Sequence, residues 1–431
     1  MKASDARAFF ASPESLALDD YLLLDYVFEC QDDPELAAAH LCSEQSTAQW
    51  KRVDVSEDYR PRFAAKVLDL NIEPVPTGFS VPMPEFGDQQ VHRCRIRIAH
   101  PHANFGPRLP NLLSAVLGEG AFFAPGIPLI KLLDIAFPDA FLSAFQGPRF
   151  GIGGIREQLK VFDRPIFFGV IKPNIGLPPE PFAELAYEAW RGGLDIAKDD
   201  EMLADPDWSP LAERARLLGA ARRRAEQETG VPKIYLANIT DEVDRLLELH
   251  DTAVAAGAGA VMLNAWPTGL SAARMLRQHT KVPLVAHFPV IAAMSRLPFY
   301  GVHSRVLTKL QRLAGFDVII MPGFGNRMMT PAEEVRACIH ACVDPAFGQL
   351  KPSLPVPGGS DSAATLESVH AQVGSADFGF VPGRGVFSHP QGPAAGATSL
   401  HQAWQAISAG VPVAEAAEQQ SELKAALATF G

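Results

Sequence analysis

Cysteine is scarce in this chain, basic charge is outnumbered, and long apolar runs are missing. Each shortage removes a class of function. The five cysteines, Cys30, Cys42, Cys94, Cys338 and Cys342, are scattered over 431 residues. They are too few and too dispersed for a disulfide framework, and the odd count points to a reducing compartment. Cys338 and Cys342 stand four apart with His340 between them, which invites a metal reading. On a helix, however, thiols at i and i+4 share a face that i+2 does not, so both are expected as buried, inert thiols. No stretch of about 18 uninterrupted apolar residues exists, so no membrane-spanning helix is expected. The N-terminal MKASDARAFFASPESLALDD carries acids where a secretory signal needs an apolar core, and a cytoplasmic location is expected. Thirty-eight Lys and Arg stand against 49 Asp and Glu, a net charge of −11. That balance argues against nucleic acid or an anionic membrane as partner, though a local basic pocket for a phosphate remains compatible with it.

Glycine and proline are abundant, at 34 and 36, but dispersed along the whole chain. Many tight connections between buried elements explain that better than one disordered linker does. The length allows two or three domains at roughly 100–200 residues each. Residues 1–150 read as mixed α and β. A helix is expected at Pro34 to Cys42 behind a DDP start signal. Period-two runs at Arg62 to Leu70 and Val91 to Ala99 predict strands, and a second helix is expected over Pro110 to Leu117. The proline-broken apolar stretch from Phe122 to Ile135 reads as a connecting or packing segment.

From about Pro165 the pattern changes. Eight short apolar runs recur, beginning at PIFFGVIKP (165–173), GLDIAKDDE (193–201), PKIYLANI (232–239) and GAVMLNA (259–265). PLVAHF (283–288), DVIIMPG (317–323), LPVPGG (354–359) and FGFVPG (378–383) complete the series. Helical segments closing on glycine separate them. This is the arithmetic of an α/β chain whose C-terminal part, 151–431, is a (β/α)8 TIM barrel preceded by an N-terminal α+β domain. An open doubly wound sheet is the alternative.

Barrel enzymes carry their chemistry at the C-terminal ends of the strands. Here those ends read Lys172 and Asn174; Lys198, Asp200 and Glu201; Asn238; Asn264; His287; Gly323 and Arg327; Gly358 and Gly359; Gly383 and Arg384. On the second strand Leu194, Ile196, Lys198 and Asp200 share one face, so apolar residues give way to a lysine and a carboxylate at its top. Two carboxylates suit Mg2+. An ammonium is no ligand, but the lysine can pair with the acids, act as a base, or take up CO2 as a carbamate that adds a third oxygen. The bland alternative is an acidic helix start. The glycines of VPGGSDS and VPGRGVFSHP can expose backbone N–H groups to a phosphate, with Arg384 adding charge; ordinary turns are the competing reading. His287 taken alone reads as a satisfied core histidine. Lys172 ends an apolar run and needs a functional reason for its charge.

GVIKPNIGLPPEPFAELAYEAWRGGLDIAKDDE resembles the first two barrel strands of the ribulose-bisphosphate carboxylase (RuBisCO) superfamily. EQSTAQW (44–50), GVHSRVLTKLQRLAG and GRGVFSHPQGPAAGA extend the likeness over most of the chain. The resemblance implies that Lys198 is a carbamylated lysine and that Asp200 and Glu201 complete a Mg2+ site. It implies that Lys172 and His287 are active-site residues. Glu44, Trp50 and Glu119 fall at positions that, in the superfamily, serve the partner subunit's site, so a homodimer with shared sites is implied.

The departures bear on activity. Asn174 stands where carboxylases have a second lysine, Phe288 where they have an arginine and Ile320 where they have a histidine. Arg327 aligns with the mobile-loop lysine, Gln49 replaces threonine, Pro357 replaces serine and Glu119 replaces asparagine. Losing charge-assisted hydrogen bonds worth about 1.5–3 kcal/mol each from one phosphate pocket argues against bisphosphate binding and CO2 fixation. The pattern resembles the form IV RuBisCO-like group of photosynthetic and related bacteria, which is associated with sulfur metabolism and stress responses. The expected function is therefore Mg2+-dependent enolisation or isomerisation of a sugar-phosphate-like substrate, with Gly359, Gly383 and Arg384 holding one phosphate and Phe288 facing an apolar, methylthio-like substituent. Two alternatives remain: decarboxylation or transcarboxylation of a β-keto sugar acid held by Arg327 and Arg384, and a non-catalytic regulatory protein on an inherited scaffold.

Overall fold

The computed structural model describes residues 3–48, 56–75, 78–83, 85, 90–120, 124–325 and 327–431. They fall into two compact units. The first comprises 1–146 together with 291–310 and 345–350, and the second comprises 147–290, 311–344 and 351–431.

The first unit is built on strands β1 (Tyr21–Cys30), β2 (Lys66–Val75), β3 (Val91–Pro101), β4 (Leu129–Ala136) and β10 (Gly301–Val302) in the order β10-β4-β1-β3-β2. β1 runs antiparallel to both β3 and β4, and β10 adds in parallel to β4. The helix Pro34–Glu44 begins where Asp33 accepts hydrogen bonds from the Glu35 and Leu36 amides, with Pro34 in its first turn, a strong start signal. Tyr26 on β1 donates to the Val116 carbonyl (2.7 Å) and accepts from Gln45 Nε2 (3.0 Å). One buried phenol thus ties the sheet to the end of that helix and to the turn over Ser114–Glu119.

Three local expectations change. Arg60–Phe63 is a short helix with Pro61 in its first turn, so the strand begins only at Lys66. The second helix runs over Leu109–Leu113 and then widens into a π-helical turn over Ser114–Glu119, which a 3.6-residue periodicity does not register. The apolar stretch before Ala136 contains strand β4 rather than a mere connection. Most of β4 is buried, so no alternation marks it.

The second unit holds eight parallel strands: β5 (Ile166–Val170), β6 (Ile196–Lys198), β7 (Ile234–Asn238), β8 (Ala260–Asn264), β9 (Leu284–His287), β11 (Val318–Pro322), β12 (Leu354–Gly358) and β13 (Gly379–Phe380). Their order is β12-β11-β9-β8-β7-β6-β5-β13, a nearly closed barrel as the sequence spacing predicts. Alternate residues point inward and make one core: Phe168, Val170, Ile196, Leu236, Met262, Val285, Ile320, Val356 and Val381 are among its members. The helix between β7 and β8 starts at Leu246 and ends where Gly257 takes φ 117°, a conformation open to glycine. All five cysteines are buried and none forms a disulfide, as expected. Among the described residues no helix is long and apolar enough to cross a membrane.

Candidate active site

The inward alternation of each strand decides what stands at its top. Two residues beyond Ile196, Leu236, Met262 and Val285 come Lys198, Asn238, Asn264 and His287, all buried. Asp199, one step out of phase, faces the other way. Its Oδ2 accepts from Arg214 Nη2 (3.2 Å), Tyr235 Oη (2.9 Å) and the Asn238 amide (3.0 Å). That anchor fixes the register of KDDE and turns Lys198 and Asp200 into the barrel mouth.

Four charged groups meet there. Lys198 Nζ lies 3.5 Å from Glu201 Oε2, and His287 Nε2 lies 3.4 Å from the same oxygen. Lys172 Nζ donates to Asp200 Oδ2 (3.2 Å) and to Asn174 Oδ1 (2.5 Å). Burial pulls the Lys198 ammonium below the usual lysine range, against the opposing pull of Glu201 and Asp200. Burial first, and the Lys198 charge second, hold His287 well below the ordinary histidine range. Its Nδ1 accepts the Phe288 amide (3.0 Å), so in the neutral ring the proton sits on Nε2, facing Glu201.

Two asparagines that sequence reasoning noted only as strand ends hold this loop in place. Asn238 Nδ2 donates to the carbonyls of Asp200 and Glu201 (both 3.1 Å), and Asn264 Nδ2 donates to that of Glu201 (2.8 Å). Asn264 Oδ1 is buried without a hydrogen-bond partner among the described residues, a polar atom that a bound group would satisfy. The donor set fits magnesium on one condition. Asp200 and Glu201 supply hard oxygens, and Lys198 supplies a third only as a carbamate. An amine whose charged form is disfavoured by burial is chemically suited to that conversion.

Beside these groups lies a cavity of about 550 Å³, lined by Lys172, Asn174, Glu201, His287, Phe288, Ile320, Arg327, Gly359, Gly383 and Arg384, among others. Arg327 and Arg384 are exposed, and Arg327 Nη1 donates to Ser360 Oγ (3.0 Å). Gly383 leaves room for Lys172: a Cβ there would stand 2.9 Å from Lys172 Cε. Three lining residues escaped the sequence reading. Phe430 arrives from the C-terminal helix Ser421–Phe430, and Met328 from the loop after β11. Asp361 is buried and accepts the Gly359 amide (3.3 Å), and burial pushes its carboxyl up to about 7. PGGSDS places it only four residues past the proline, but nothing in that spacing marks it as inward-facing.

In the first unit Glu44 and Glu119 line a separate pocket of about 850 Å³ with Thr47, Tyr59 and Asn111. Burial, and next the Glu119 charge, raises Glu44 above its ordinary value. Trp50 and Gln49 lie outside the described residues.

The sequence matches the family model for the ribulose bisphosphate carboxylase large chain N-terminal domain over residues 14–141, and that for the catalytic domain over residues 151–430. It is 70% identical to ribulose bisphosphate carboxylase-like protein 2 of Rhodopseudomonas palustris over 431 residues, the whole of both chains. It is 66% identical to a ribulose bisphosphate carboxylase-like protein of Allochromatium vinosum, covering 100% of this chain and 94% of that one. A more distant relative, 33% identical over 95% of this chain and 98% of its own length, is the 3-oxo-isoapionate-4-phosphate decarboxylase of Rhizobium etli. The crystal structure of a rubisco-like protein from Burkholderia fungorum superposes with a TM-score of 0.86 at 33% identity, covering 95% of this chain and 100% of that one. With both models matched in order and full-length relatives at this identity, the chain belongs to the ribulose bisphosphate carboxylase large chain family.

Proposed function

We propose that the barrel mouth enolises a sugar-phosphate-like substrate without carboxylating it. The observation that carries this reading is the junction at Glu201: one carboxylate oxygen within 3.5 Å of both Lys198 Nζ and His287 Nε2, with Lys172 on the adjacent Asp200. Carbamylation joins the neutral Lys198 amine to the carbon of CO2 and releases one proton, leaving an oxygen-donor anion beside Asp200 and Glu201. Asp200, Glu201 and the Lys198 carbamate would hold a magnesium ion, which would supply Lewis-acid polarisation of a carbonyl. Lys172, reaching past Gly383, or the Lys198 carbamate takes the α-proton. A well-placed base contributes about 10²–10⁴-fold. His287 Nε2–H serves as a fixed donor to oxygen on the face toward Glu201.

The apolar part of the cavity wall selects the substrate. Phe288, Ile320, Val381, Met328 and Phe430 line it, and an apolar substituent such as a methylthio group fits that wall better than a second phosphate does. Gly359, Gly383, Arg384 and Arg327 receive the single anionic group, which meets Asp361 on the Gly359 amide. In its neutral form that carboxyl donates a hydrogen bond, and ionised it repels the anion. Asn174 Oδ1 accepts from Lys172 Nζ and positions it. Glu44, Glu119 and Trp50 complete the site of a second subunit in a homodimer, a reading that rests on their family positions and on the acidic pocket of the first unit.

The test is deuterium exchange from solvent into methylthio-sugar phosphates, with Mg2+ and bicarbonate present. Exchange that depends on both is expected; its absence across the series would overturn the substrate assignment. Decarboxylation of a β-keto sugar acid is the second reading, favoured by the relation to the Rhizobium etli decarboxylase and by two exposed arginines on the cavity. Only that reading releases CO2.

A further inference from the structure

A second cluster of chemistry-bearing side chains lies in the helical layer, apart from the barrel mouth. His250 and Asp251 sit on the helix Leu246–Ala256, and His279 ends the helix Leu270–His279. Asp251 Oδ1 lies 2.8 Å from His250 Nδ1 and 2.6 Å from His279 Nε2, and the two rings meet edge to face at 5.0 Å. Among the described residues this is the one group of three His, Cys, Asp or Glu side chains whose donor atoms all lie within 4.8 Å of one another.

The far side of His250 argues for more than a hydrogen-bonded trio. Its Nε2 lies 2.8 Å from Thr280 Oγ1. That hydroxyl has one proton, which is placed to donate to the Val282 carbonyl (3.0 Å), while its oxygen accepts the Val282 amide (3.2 Å). Where that proton stays on the Val282 carbonyl, Thr280 accepts from His250 Nε2–H. In that tautomer Nδ1 turns a lone pair toward the Asp251 oxygen, an arrangement that a cation ligated by both would satisfy. His250 is buried. A buried imidazole with one nitrogen anchored by its N–H, leaving the other to ligate, is the usual setting of a metal-ligating histidine.

We propose that His250 Nδ1, His279 Nε2 and the Asp251 carboxylate bind a divalent ion of the zinc class, with water as the fourth ligand. Two imidazoles and one carboxylate are a donor set for Zn2+ rather than for Mg2+, so this site is chemically distinct from the oxygen set at the barrel mouth. Ligand atoms around tetrahedral zinc stand about 3.3 Å apart, so the trio must open slightly. The Asp251 and His279 side chains, 62% and 37% exposed, are at liberty to do so. The bound ion would clamp the helix after β7 to the helix after β8.

The test compares the full-length protein with its His279→Ala and Asp251→Asn variants, titrated with Co2+ and Zn2+. The wild type is expected to bind one more equivalent per chain than either variant. Its Co2+ form should show the visible absorption of a tetrahedral site, and Zn2+ should raise its Tm by several degrees more than it raises the variants' Tm. Both substitutions are at exposed positions, and a circular dichroism spectrum matching the wild type verifies folding. Zinc bound at the barrel mouth counts equally in all three proteins and cancels. Equal stoichiometry in the three proteins, or binding without a tetrahedral spectrum, overturns the proposal.

Discussion

At the tops of β5, β6 and β9 the cavity presents Lys172, Glu201 and His287, paired with the buried Asp200 and Lys198, most of the five one register step beyond a core residue of the barrel. At the tops of β11, β12 and β13 it presents glycines and apolar groups, together with side chains delivered from farther along the chain: Arg327, Met328, Asp361 and Phe430. The first half is set by strand ladders and by Asn238 and Asn264, so its geometry follows from the barrel itself. The second half is set by loops and a terminal helix, which change without disturbing the barrel. One scaffold can thus keep its proton chemistry while its substrate end diverges.

Experiments that separate the two halves rank by expected effect. Lys198→Met removes the source of the third oxygen donor, and exchange activity should fall by about 10³-fold or more, as when a principal charge-stabilising group is lost. A stopped-flow or NMR exchange assay reads this directly, and an active variant would dissolve the charged half as a unit. Asn264→Ala unpins the Glu201 backbone, and Mg2+ affinity measured by calorimetry should drop by about 10–100-fold, as for other residues that orient ligands. Unchanged affinity would mean that the ladder alone holds the loop.

Changes in the loop half should be gentler and fall on binding. Phe430→Ala should raise KM for an apolar-substituted substrate by about 10-fold with kcat nearly constant, the scale of a lost apolar contact of ~1–3 kcal/mol. An equal loss in kcat would place Phe430 in the chemistry instead. The smallest effect is the most diagnostic. Asp361 is neutral below about 7 and ionised above it, so sulfate should bind the glycine cradle more weakly as pH rises through that value. Asp361→Asn should flatten the profile. Because this pKa is raised above its unfolded value, the residue's contribution to stability is full below about pH 4 and is lost as pH rises through about 7. Urea titrations at pH 5 and 8 should therefore differ less in the variant.

How much of this was legible in the sequence follows the same division. Lys198 and Asp200 continue the face of Leu194 and Ile196, and a two-residue period needs no tertiary information, so the barrel and its charged rim could be read directly. Asn238 and Asn264 were visible as strand ends, but their roles depend on carbonyls more than 25 residues away. Asp361 and Phe430 were not visible, since no periodicity says which way a loop residue turns or which helix end reaches a cavity. The N-terminal unit was read less well for another reason. β4 is largely buried on both faces and gives no alternation, the π-turn before Glu119 breaks the helical period, and β10 is two residues long.

β10 also has a consequence for how the chain is made. The β4 edge of the first sheet is covered by Gly301 and Val302 opposite Lys131 and Leu132. Lys131 Nζ donates to the carbonyls of Ser295 and Leu297, and Lys309 pairs with Asp134. During synthesis, β4 leaves the ribosome some 170 residues before its cover does. The nascent sheet carries an open edge through that interval, and open edges recruit other strands. A gene fragment cut near residue 150 would make that interval permanent, so self-association is the expected fate of the N-terminal piece expressed alone.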